Sequence, residues 1–185
     1  MTTPVLTVAN QLTILRMALT PLLVVLVISG ELSWALAVFV VAGITDLLDG
    51  LIARVAHQRT KLGAMLDPVA DKLLLAAAFV SLTWGQGLAL RIPQWLTVTT
   101  LFRDGMIVVS IAVINLTLGR RVFYPSLLGK LCTASQLLTA GVVLLLNALA
   151  VDFPPVVQLF RLTLLLTVAS ALHYVYLASA RQGQD

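Results

Sequence analysis

Among the eight carboxylates of this 185-residue chain, four (Asp46, Asp49, Asp67 and Asp71) fall in one short segment, TDLLDGLIARVAHQRTKLGAMLDPVADK. Asp46, Asp49, Gly50 and Ala53 recur at i, i+3, i+4 and i+7, the spacing of one helix face. Asp67 and Asp71 stand at i and i+4 on a following helix, with Gly63 one turn before Asp67. A short intervening loop makes the two helices antiparallel neighbours, so all four carboxylates are expected to converge. Carboxylates gathered without His or Cys are donors for a hard cation such as Mg²⁺, Mn²⁺ or Ca²⁺. In apolar surroundings they repel one another and each costs at least about a few kcal/mol to desolvate, so something positive has to sit among them. Two divalent cations there would grip a diphosphate and stabilise both the attacking and the leaving oxygen. Gly50, Ala53 and Gly63 leave room for a flat group such as a nucleobase. Close packing of small residues between helices explains the same three positions, and both readings stand.

The rest of the chain is suited to lipid. Hydrophobic residues make up 59% and charged residues 11%, against about a quarter charged in ordinary globular domains, and the mean hydropathy is +1.01. The one cysteine, Cys132, rules out an intrachain disulfide. No basic stretch precedes the first apolar run and Arg16 interrupts it, so that run is expected to stay as a membrane span. Six stretches approach the roughly 20 apolar residues a span requires: about 11–29, 33–56, 61–84, 92–117, 127–150 and 155–179. The expected fold class is all-α, an integral membrane bundle of six transmembrane helices forming a single domain over residues 1–185. With a cytoplasmic N-terminus, Arg16, Arg54, Arg59, Lys61, Arg120, Arg121, Lys130 and Arg181 collect on the cytoplasmic side, as the positive-inside rule requires. Trp34, Trp84 and Trp95 then fall near the outer ends, where an aromatic belt would sit. The net charge of +4 belongs to these span ends, and no nucleic-acid partner is expected.

The run Asp46-x2-Asp49-Gly50-x2-Ala53-Arg54-x8-Gly63-x3-Asp67-x3-Asp71 resembles the complete signature of the CDP-alcohol phosphotransferases, also called class I phosphatidyltransferases. The likeness extends to Asn10-x-Leu12-Thr13-x2-Arg16, Arg103-Asp104 and Gly129-Lys130-x2-Thr133. It implies a metal-dependent membrane enzyme of phospholipid biosynthesis, a homodimer whose active site faces the cytoplasm, in the inner membrane if bacterial. Two cations, Mg²⁺ or Mn²⁺, would be held by Asp46, Asp49, Asp67 and Asp71. Asp49, Gly50, Ala53, Arg54 and Gly63 would form the CDP-binding face. Asp71 would also be the general base, and a carboxylate one turn past a metal-bound partner is well placed to take a proton. CMP would leave as the phosphatidyl group of CDP-diacylglycerol passes to an acceptor hydroxyl.

The acceptor is less sharply written. Arg16, Arg103 and Lys130 lie within or near spans outside the signature, and charge in a span is a functional candidate by default. Asp104 offers Arg103 a purely structural partner. Family members acting on glycerol 3-phosphate carry a further arginine and a further lysine where this chain has Ile111 and Cys132. Fewer cations suit a phosphodiester, so the reading favours phosphatidylglycerol, as in the cardiolipin synthases of the family. Glycerol 3-phosphate comes next, and inositol phosphate or serine after it. A cation transporter is the reading from another class. Its polar residues would recur through the bilayer depth, whereas these carboxylates crowd one end of two helices.

Overall fold

The computed structural model describes residues 8–55, 63–117 and 127–182. All of the regular structure there is helical: α1 (Val8–Ile28), α2 (Leu32–Val55), α3 (Gly63–Trp84), α4 (Gln94–Thr117), α5 (Leu127–Ala148) and α6 (Val156–Gln182). These match the six apolar stretches to within a few residues. Gln11–Ile28, with mean hydropathy 2.1, and Leu127–Ala148 and Val156–Tyr176, each with 1.6, are long and apolar enough to cross a membrane. In α2 the residues Leu32–Asp46 form a shorter apolar stretch.

Polarity runs opposite to that of a water-soluble fold. Thr13, Thr97, Gln136, Thr139 and Thr163 are wholly buried, while Val25, Phe102, Leu165 and Leu172 are exposed. Lipid accepts the apolar exterior but offers no hydrogen bonds, so hydroxyls turn inward or onto their own helix. Thr83, Thr139 and Thr167 each donate to the carbonyl four residues earlier, at 2.7–2.8 Å. Trp34, Trp84 and Trp95 are exposed near the ends of their helices.

The helices fall into two compact units, Met1–Arg91 with Ala140–Asp152, and Ile92–Thr139 with Phe153–Asp185. In the first, α1 packs against both α2 and α3. Small residues permit that approach: Ala35 and Ala42 on α2 and Ala70 and Ala78 on α3 are completely buried. The turn from α1 to α2 is tight. Gly30 adopts φ +78°, its N–H donates to Val27 and the Glu31 N–H donates to Leu26, the paired bonds of a Schellman cap that favours glycine. Ala150 takes the corresponding place after α5 with φ 52°. One side chain ties the last turn of α5 to the segment after α3. Asn147 Nδ2 donates to the carbonyls of Leu90 and Val143, both at 2.8 Å, and its Oδ1 accepts from the Leu90 N–H at 3.0 Å. In the second unit α4 packs on α6, and Thr139 of α5 pairs its hydroxyl with Thr163 of α6 at 2.8 Å.

Asn147 satisfies both backbone groups of a residue that has no helical partner for them. Asn147→Ala is expected to cost about 1–3 kcal/mol, the penalty for leaving buried polar groups unmet. Thermal melting in detergent or nanodiscs, compared with an exposed control such as Leu149→Ala, checks this.

Candidate active site

The inward face of α1 is set by Thr13, Arg16, Leu23 and Val27, all fully buried and spaced by three, seven and four residues. Arg16 therefore points into the bundle whatever its charge. The face of α2 that carries Ala35, Phe39 and Ala42 reaches Asp46 one turn later, and the face of α3 that carries Leu82, Ala78 and Leu75 reaches Asp71. Both carboxylates meet the same guanidinium nitrogen. Arg16 Nη1 lies 2.7 Å from Asp46 Oδ1 and donates to Asp71 Oδ1. The arginine side chain has no exposure at all, whereas each aspartate side chain is 38% exposed. Three helices of the first unit thus place two carboxylates around a buried cation, with the carboxylates open on one side.

Asp49, Gly50, Ala53 and Arg54 continue α2 past Asp46, and Gly63 and Asp67 open α3 before Asp71. Their side chains lie outside the described residues. Helix register alone puts Asp49 near Asp46 and Asp67 near Asp71, three and four residues away on their respective helices. The donor set fits a hard divalent cation. Asp46 and Asp71 offer only carboxylate oxygen, converge from two helices and are partly open. Among the described residues no three His, Cys, Asp or Glu side chains converge.

The other two acceptor candidates belong to the second unit. Arg103 on α4 is buried, donates from Nη1 to Asp104 Oδ1 at 2.6 Å, and donates from Nη2 to the Ser170 hydroxyl on α6. Its Nε has no partner among the described residues. The Tyr174 hydroxyl, one helical turn beyond Ser170, is likewise buried without a partner there. Ser170 and Tyr174 escape a reading of the sequence because an apolar helix rich in Ser and Thr carries no mark of which hydroxyl meets an arginine. Lys130 is exposed in the first turn of α5. Cys132 is fully buried, its sulfur 3.5 Å from the Thr167 hydroxyl and accepting from Gln136 Nε2 at 3.3 Å. Ile111 lies in α4 and its side chain is outside the described set.

Residues 6–178 match the family model for CDP-alcohol phosphatidyltransferase, and the chain belongs to that family. It is an integral membrane protein. Relatives include a probable cardiolipin synthase (CMP-forming) of Drosophila melanogaster, 36% identical over 92% of this chain and 57% of the relative. A cardiolipin synthase (CMP-forming) of Streptomyces coelicolor is 37% identical over 70% of this chain and 60% of its own length. A probable phosphatidylglycerophosphate synthase of Mycobacterium tuberculosis is 35% identical over 90% of this chain and 79% of its length. The chain thus spans somewhat more than half of these two cardiolipin synthase relatives.

Removing one carboxylate of the converging pair deletes a charged contact of about 1.5–3 kcal/mol. Asp46→Asn is expected to weaken Mg²⁺ or Mn²⁺ binding at least about tenfold, read as the cation concentration that half-saturates the melting-temperature shift. Asp104→Asn, in the other unit, should leave that midpoint unchanged.

Proposed function

We propose that the protein is a cardiolipin synthase of the CMP-forming kind, transferring the phosphatidyl group of CDP-diacylglycerol to a hydroxyl of phosphatidylglycerol. The observation that carries this reading is the convergence of Asp46 and Asp71, from two helices, at a partly open site within an otherwise apolar bundle. Family membership and the names of the Drosophila and Streptomyces relatives support the same chemistry.

In this reading Asp71 receives the proton of the acceptor hydroxyl, whose oxygen bonds to the β-phosphorus as the bond from that phosphorus to the bridging oxygen breaks. CMP departs with the bridging oxygen and its electron pair. Two Mg²⁺ or Mn²⁺ ions, held by Asp46, Asp49, Asp67 and Asp71, would supply charge neutralisation for the diphosphate and the leaving CMP. Asp49, Gly50, Ala53, Arg54 and Gly63 form the CDP face, the small residues admitting the cytosine. Arg103, oriented by Asp104 and Ser170, and Lys130 bind the acceptor phosphate. In this reading the site faces the cytoplasm, which the Lys/Arg asymmetry supports, in the inner membrane of a bacterium, and the working unit is a homodimer.

Glycerol 3-phosphate is the second acceptor to consider, because the mycobacterial phosphatidylglycerophosphate synthase relative is covered over 79% of its length. Against it stands Cys132, which is fully buried and takes the place of the further lysine that family members acting on glycerol 3-phosphate carry. Purified protein in mixed micelles with CDP-diacylglycerol, Mn²⁺ and both acceptors at equal occupancy decides between them by product mass. Cardiolipin should predominate; phosphatidylglycerol phosphate as the main product would give the enzyme the other acceptor. In the same assay Asp71→Asn should reduce turnover by more than about a hundredfold, the scale of a lost general base, while CDP-lipid binding falls less.

A further inference from the structure

Arg16 is among the acceptor-binding candidates by sequence, yet its contacts assign it elsewhere. We propose that Arg16 is a built-in counter-cation for Asp46 and Asp71, holding the pair in place until a divalent cation takes over their oxygens and displaces it. This rests on reading these carboxylates as cation ligands and adds a residue that governs how tightly and when they load.

The argument begins with burial. A guanidinium with no exposed surface in an apolar bundle has no water to solvate it, so anionic partners must. Asp46 and Asp71 touch one nitrogen, Nη1, and both use Oδ1. Those are the same lone pairs a cation bridging α2 and α3 would take. In the proposed site four carboxylates and two divalent ions sum to zero, so a guanidinium left among them would add one uncompensated positive charge in a low-dielectric setting. Arginine and cation therefore bind antagonistically. The geometry allows an exchange, since the carboxylates are each 38% exposed while the arginine approaches from the buried side. A cation can arrive from the open side without first crossing the arginine. Before loading, Arg16 keeps Asp46 and Asp71 converged against their mutual repulsion, and α1, packed on both α2 and α3, carries it.

Full-length protein in nanodiscs, with Mg²⁺ as the probe, tests this without any turnover. Arg16→Gln should lower the melting temperature in chelator by about 5 °C or more, while at saturating Mg²⁺ it melts close to wild type. Its Mg²⁺ affinity should be tighter than wild type by about fivefold or more, the lower end of typical coupling between two sites. Arg16→Lys, which keeps the charge, should stay near wild type in affinity. Equal or weaker Mg²⁺ binding by Arg16→Gln would overturn the proposal, and a residue that serves only the acceptor would leave all these melting curves unchanged. If Arg16→Gln does not survive in chelator, wild-type protein labelled with ¹⁵N-arginine gives the answer. A resolved, slowly rotating Nη resonance in chelator, assigned to Arg16 by its loss in Arg16→Lys, should average out on adding Mg²⁺; its persistence at saturation would refute displacement. Wild-type protein that binds no Mg²⁺ at all would instead remove the cation reading on which the proposal stands.

Discussion

Charge inside an apolar bundle has to be neutralised by charge brought from another helix, because neither lipid nor neighbouring alkyl groups will solvate it. Arg16 makes that constraint concrete. Its place on the inward stripe with Thr13, Leu23 and Val27 buries it completely, and the first unit is organised around meeting its charge. Asp46 must arrive on α2 and Asp71 on α3. The alanines that let α1 lie close to both helices are the packing side of the same requirement. Asp46 and Asp71 are then near each other because each is near Arg16. In the proposed function, the site for a highly charged substrate arises where these helices have already gathered opposite charges.

The second unit solves a similar problem with milder means. Arg103 is held by an adjacent carboxylate and a hydroxyl from α6, and its Nε has no partner among the described residues. Below it on α6 the hydroxyls of Thr167 and Thr163 meet Cys132 and Thr139 of α5. Polar contacts of this kind are the usual glue between membrane helices, where burial of apolar surface drives little. They also hold the arginine in one orientation, from which it receives the acceptor phosphate in the proposed function.

Much of this was legible in the residues. Six helices followed from apolar segments of bilayer length cut by Gly and Pro turns, and the boundaries moved by only a few residues. Asp46 and Asp71 were legible because acidic residues are so costly here that their spacing stands out. The partner of the pair was not. The need for something positive pointed to metal, and only three-dimensional packing brings Arg16, far away in sequence, to both carboxylates. The direct α2–α3 pairing expected from the short loop is not among the main helix contacts of the described residues; α1 packs against both helices instead. Asn147, Ser170 and Tyr174 were illegible for a related reason. Each is an unremarkable polar residue in a helix until the group it faces is known. The side chains of Asp49, Gly50, Ala53, Arg54, Gly63 and Asp67 remain assigned by register and by family likeness.

The central claim is that the aspartates of α2 and α3 hold a divalent cation against the diphosphate of a CDP-linked lipid. Pulsed electron paramagnetic resonance of Mn²⁺-loaded protein reads that contact directly. With CDP-diacylglycerol present, the Mn²⁺ signal should acquire the strong ³¹P coupling of a directly coordinated phosphate, and Asp46→Asn should diminish it. Mn²⁺ bound without such coupling, or coupling that is indifferent to Asp46, would contradict the claim.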